Sequence, residues 1–226
     1  MNTSSLNLIF YLLIIIIPIL AQINISASYG KYKKIGNSKN LSGFEVARKI
    51  LDANGLENIY VVETNGNLTD HYDPSRKVIK LSKDIFKGES IAAASVAAHE
   101  CGHAIQDKDN YTFMRIRSFL VPVVNLTSSF AWIVILIGLF AEYFQVFLLG
   151  IGLISVGLLF QLITLPVEFD ASNRARKELE KLNLVDSEEA SGVRKMLTSA
   201  AMTYVASVLT SILEIVRLFL MFNDRR

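Results

Sequence analysis

The sequence predicts an α-helical integral membrane protein that carries a small α+β polar domain, with about four transmembrane helices. Three observations lead there. Of the 226 residues, 51% are hydrophobic and only 19% charged, where a soluble domain carries about 25% charge. Apolar runs of bilayer length recur along the chain. Between them lie capping boxes, turn dipeptides and period-two alternation, which mark a folded polar region. One cysteine, Cys101, excludes a disulfide scaffold. A net charge of +2 gives no electrostatic footprint for nucleic acid.

Residues 6–25 are uncharged and include the run Leu12-Leu13-Ile14-Ile15-Ile16-Ile17, enough for one span. No Lys or Arg precedes Lys31, so the basic region of a signal peptide is missing and the segment reads as a retained anchor. Residues 26–118 form the polar domain. Ser42 and Glu45 make a capping box opening a helix with Phe44, Ala47, Ile50 and Leu51 on one side, and Gly55 closes it. Ile59–Val62 and Lys77–Leu81 read as strands, the second offering an edge to an extended substrate backbone. The connection from Glu63 to Arg76 holds turn chemistry at Asn65-Gly66 and Asp73-Pro74. Ser90 to Asp107 is an alanine-rich helix.

From Phe119 to Val167 the only charge is Glu142, so these 49 residues divide into spans 119–141 and 144–166 joined by a tight turn. A second polar segment, 167–195, continues as a helix from Glu168 to Leu182 and restarts at Asp186, with Glu189 as capping partner. The last apolar segment, 198–222, is a fourth span with an interfacial helix as its alternative; it contains Glu214 and Arg217, three apart on one face and able to neutralise each other. The segment 26–118 holds 14 Lys and Arg and 167–195 holds 6, against none before residue 26. The positive-inside rule therefore puts both polar segments in the cytoplasm, with Arg225 and Arg226 as a mild conflict. Asn-x-Ser/Thr sequons such as those at Asn67 and Asn110 are then idle.

His99-Glu100-Cys101-Gly102-His103 falls on the alanine-rich helix and uses two of the chain's 3 histidines. The i,i+4 spacing puts both imidazoles on one face, where one Zn²⁺ can bridge them. Glu100, turned about 100° around the helix, can serve a metal-bound water as general base. Cys101 points off the ligand face and reads as a buried small side chain. A catalytic zinc needs a third protein ligand and an open position. His71 and nearby carboxylates are the candidates. Glu142 is excluded by topology, Asp107 lies about 6 Å along the helix from His103, and Glu168 sits at the mouth of the third span.

The motif, two spans and then Glu168-Phe169-Asp170-Ala171-Ser172 resemble the layout of HtpX and the CAAX prenyl proteases. There a glutamate after the hairpin of spans, in a pattern similar to E-[FY]-x-A-D, is the third zinc ligand. Ser172 departs from the final Asp, for which Asp170 or Asn173 are the available substitutes. The whole chain resembles the bacterial YugP-like neutral zinc metallopeptidases, through Phe44–Arg48, Asp52–Leu56, Leu68–Pro74, Ser95–Glu100 and Thr164–Phe169. The resemblance implies a membrane-bound zinc metallopeptidase with a zincin-like domain and one zinc per chain on His99, His103 and Glu168. With the orientation set by the positive-inside rule, its site falls at the cytoplasmic face of the plasma membrane, where peptides and membrane proteins are the substrates expected to reach it. His71 has three readings: a donor to the oxyanion, a turn residue beside Asp73-Pro74, and the third ligand. Tyr72 is a lesser candidate for the same donor role. A non-catalytic scaffold with structural zinc is the principal alternative, requiring a fourth protein ligand such as His71 or Cys101. A hydrolase of lipid or lipidated substrates is another, with Tyr204, Thr210 and Glu214 to probe.

Overall fold

The structure is a computed structural model describing residues 3–66 and 69–223. The sequon Asn67, Leu68, and Arg225 and Arg226 lie outside the described residues. In chain order the elements are α1 (Thr3–Tyr32), α2 (Gly43–Ala53), β1 (Tyr60–Thr64), β2 (His71–Asp73), β3 (Val78–Ser82), α3 (Lys83–Phe86), α4 (Ile91–Lys108), α5 (Thr112–Phe140), α6 (Phe144–Lys181) and α7 (Ser187–Asn223). Among the described residues four helices, α1, α5, α6 and α7, are long and apolar enough to cross a membrane. Each overruns its predicted span. The sequence divides α6 at Pro166 and α7 at residue 198 by hydropathy, but the helical backbone continues through both. Burial changes there and backbone geometry does not.

The chain divides into two units. One takes α1 up to Gln22, Arg115–Pro166 and α7 from Thr203 on. Glu142, at φ 57°, makes the turn between α5 and α6. Phe147 stacks on Phe222 at 4.5 Å beside Ile135, Leu139 and Leu218. Arg217 pairs with Glu214 at 2.6 Å and lies over the Tyr11 ring, so the charges in this span neutralise each other.

The second unit comprises Ile23–Met114 and Val167–Met202. The predicted capping box opens α2: the Ser42 hydroxyl accepts from the Glu45 amide, and the Glu45 carboxylate accepts from the Ser42 amide at 2.8 Å. Arg48 then donates to the Ile59 and Leu56 carbonyls, fixing the turn into β1. The connection read as a loop contains a third strand. Asp73 accepts from the Ser75 and Arg76 amides, an Asx-type turn that folds β2 back onto β3. Three residues are too short to show a period, which hid β2 from sequence reading. The sheet order is β1-β3-β2, with β1 parallel and β2 antiparallel to β3. β3 is therefore central and paired on both sides, so it does not offer the free edge expected for substrate pairing; β1 and β2 hold the edges.

Helix α4 runs through the core of this unit. Ser90 caps it, and Ala92, Ala93, Ala94, Ala97, Ala98, Cys101 and Ala104 are almost wholly buried. Small side chains let α2 and the sheet approach on one side and α6 on the other. Val46, Ile50, Leu51, Ile79, Leu81 and Leu179 complete that core.

Candidate metal centre

His99 and His103 project from one face of α4 with ring centroids 4.7 Å apart, edge to face. Glu168 reaches them from α6. Its Oε2 stands 3.3 Å from His99 Nε2 and 3.6 Å from His103 Nε2, in a pocket where the glutamate is only 2% exposed. Two imidazole nitrogens and a carboxylate oxygen thus lie within 4.8 Å of one another. Gly102 makes this possible. A Cβ there would fall 2.4 Å from the Ala171 carbonyl oxygen, so only glycine lets α6 come close enough to deliver Glu168, one turn before Ala171.

The far sides of both rings are held as a metal centre requires. Metal-binding histidines present one nitrogen's lone pair and keep the proton on the other, fixed by a neighbour. His103 Nδ1 meets Gln106 Oε1 at 3.0 Å. The Gln106 amide is oriented because its NH₂ donates to the Val167 carbonyl at 2.8 Å and to Asp170 at 2.9 Å, both acceptors only. The oxygen therefore faces His103, whose neutral form must carry its proton on Nδ1 and leave Nε2 bare. His99 Nδ1 lies 3.2 Å from the Ser172 hydroxyl, which can accept in the same way. The donor set and the tautomers together fit a zinc ion. Without one, burial opposes charge on His103 but Glu168 and Glu100 favour it more strongly, and the imidazole pKa is raised above its usual 6.5.

Ser172 thus orients His99 directly. Asp170 acts on His103 through Gln106 and is itself bonded by Arg174 at 2.6 Å. Asn173 accepts from Arg176 and does not join the chain of contacts behind the two rings. Gln106 is the residue sequence reading missed. Its signal was present: it lies three residues after His103 and seven after His99, on the ligand face, and is completely buried.

Glu100 is buried between the two ligands in sequence, 7% exposed. Cys101 faces away, its thiol directed at the Ala47 carbonyl at 3.6 Å, with burial pushing its pKa well up. Asp107 accepts from Tyr72 and Lys77, so Tyr72 is committed there and its hydroxyl pKa is raised by burial and by that carboxylate. His71 is not brought to the trio. Tyr72 uses the sheet face that meets α4, and alternation puts His71 on the other face, paired with Lys80 and with its Nδ1 2.8 Å from the Thr69 carbonyl.

No solved structure matches this chain. The chain is 43% identical over 206 residues to a protein of Bacillus subtilis (strain 168) named "Putative membrane protease YugP", covering 91% of this chain and 92% of that one. The model of the family described as "Putative neutral zinc metallopeptidase" matches residues 7–223, nearly the whole sequence, and the chain belongs to that family.

Proposed function

We propose that this chain is a membrane-bound zinc metalloendopeptidase that hydrolyses peptide bonds of membrane proteins or juxtamembrane segments at the cytoplasmic face. His99, His103 and Glu168 would hold one zinc per chain. The observation that carries the reading is the oriented Gln106 amide, which holds the proton of neutral His103 on Nδ1 and so leaves the buried Nε2, beside Glu168, as the atom that would bind a metal. A zinc ion bound there supplies Lewis acidity towards the scissile carbonyl and a water whose pKa falls towards about 7.

The chain's own groups do the rest. Glu100 accepts a proton from the attacking water and passes it to the departing amide nitrogen, work for which a structural zinc site has no need. Burial of that carboxylate shields it from bulk water. Ser172 and Gln106 hold the ligand rings, and Arg174 holds Asp170 behind them. His71, on the outer face of the sheet, receives no proton-transfer step. A scaffold with closed zinc coordination is disfavoured, since Cys101 and His71, the donors it would recruit, point elsewhere. The Lys and Arg distribution supports a cytoplasmic site.

The test is zinc per chain in detergent-purified protein, alongside turnover of a fluorogenic peptide library. Wild type should carry one zinc, and Glu168→Gln should lose most of it. Glu100→Gln should keep zinc and lose about 10²–10⁴-fold in turnover, while His71→Ala stays within a few-fold. A wild type that carries no metal after preparation in zinc-replete, chelator-free buffer would overturn the proposal, as would a Glu100→Gln protein with undiminished turnover.

A further inference from the structure

A cavity of about 660 Å³ opens in the second unit, between the C-terminal part of α1 and the N-terminal part of α7, away from the metal centre. Its lining includes Lys31 from α1 and Arg194 and Lys195 from α7, with no carboxylate among the lining residues. Four exposed lysines elsewhere in this unit pair with acids, Lys33 with Asp84, Lys39 with Asp186, Lys77 with Asp107 and Lys87 with Glu63. The cavity instead gathers three cations from two helices around one space. Lys31 lies over the Tyr32 ring, 5.3 Å from its centroid.

The remaining lining is built to donate hydrogen bonds, through Ser28, Ser191 and Thr198. The closeness of the two helices is fixed below the cavity. A Cβ on Gly192 would fall 2.8 Å from the Tyr32 ring, so glycine brings α7 against α1 and sets the cations around one space. Both helices continue directly into apolar stretches of bilayer length. Three positive charges, hydroxyl donors and adjoining spans match one ligand chemistry, a phosphate ester at the headgroup level of a membrane.

We propose that this cavity binds the phosphodiester headgroup of an anionic phospholipid. The lipid would bridge α1 and α7 at the membrane boundary, with Lys31, Arg194 and Lys195 on the phosphate oxygens and the hydroxyls on the glycerol portion.

The full chain, reconstituted in nanodiscs of phosphatidylcholine containing a photoreactive phosphatidylglycerol, tests this by crosslink yield and site. Crosslinks should map to the peptides around residues 24–32 and 191–199. The triple variant Lys31→Gln/Arg194→Gln/Lys195→Gln should lose at least about tenfold in yield. Ala27→Trp fills the same cavity with every charge kept and should lose yield as well. The control triple Lys34→Gln/Lys49→Gln/Lys83→Gln, at cations outside the cavity, should retain it. Thermal melting of each variant separates loss of the site from loss of the fold. Equal losses in the two triple variants would reduce the effect to general charge and overturn the proposal. So would equal crosslinking by a photoreactive phosphatidylcholine, or displacement of the lipid by millimolar inorganic phosphate, which would make the site one for a free anion.

Discussion

Gly102→Ala is the substitution that best isolates how the metal centre is assembled. It adds one methyl group to α4, touches no ligand, and improves intrinsic helix propensity by about 1 kcal/mol. The new Cβ would fall 2.4 Å from the Ala171 carbonyl oxygen and 3.0 Å from its carbon. Ordinary contact begins near 3.4 Å, so α6 must retreat by about 1 Å, and the obstacle is backbone that no rotamer change can clear. Glu168 rides on the same turn of α6, whereas zinc–ligand distances tolerate only about 0.2 Å. Zinc affinity should therefore fall about 10–100-fold, the size of loss seen when supporting groups around metal ligands are removed. Folding stability should change by no more than about 2 kcal/mol, because overpacking costs of about 1–3 kcal/mol are offset by about 1 kcal/mol of propensity gain. Chelator competition in detergent measures the affinity and thermal unfolding of the zinc-stripped protein measures the stability. Gly157→Ala, on the same helix α6, is the control, since its Cβ would meet nothing within 4 Å. Wild-type zinc affinity in Gly102→Ala would refute the idea that the close α4–α6 approach sets the ligand geometry.

Two further predictions follow from the groups behind the ligands. Gln106→Leu removes the acceptor that holds His103's proton on Nδ1 and leaves the Val167 carbonyl and Asp170 without that donor. Zinc affinity should drop about tenfold or more, read by the same competition assay; an unchanged affinity would make Gln106 a packing residue only. The zinc-stripped protein should also respond to pH in a definite sense. His103 has a raised pKa in the fold, so its contribution is fully present below about 6.5 and is lost as pH rises through the folded value. Stability of the stripped protein should therefore decline on going from mildly acid to mildly alkaline pH, while apparent zinc affinity rises over that window because metal and proton compete for Nε2. Thermal melts and zinc titrations across the range check both slopes, and stability that rises with pH would contradict the assignment.

Sequence by itself carried the local decisions. Apolar runs of bilayer length marked the four long helices, and the Ser42–Glu45 box and the Asp73 turn were legible because each depends on side chains reaching their own neighbouring backbone. The i,i+4 spacing of His99 and His103 placed two candidate ligands on one helical face for the same reason: a helix fixes its own neighbours. Strand β2 was not legible, because three residues become a strand only when β3 is present to pair with them. The long helices likewise ran past their apolar limits, since backbone hydrogen bonding continues where hydropathy changes.

Glu168 was legible through resemblance, but its meeting with the histidines depends on a glycine on one helix facing a carbonyl on another, 69 residues apart in their ligand pairing. The same holds for the tautomers, which required Gln106 to be oriented by Val167 and Asp170 from α6. His71 had suitable chemistry, yet strand alternation turned it to the outer face once Tyr72 took the inner one. What sequence determined are interactions within about one helical turn or one tight turn. What only the tertiary structure decided are contacts between distant segments, where a one-residue change in facing or an ångström of approach determines whether a side chain can reach the metal centre.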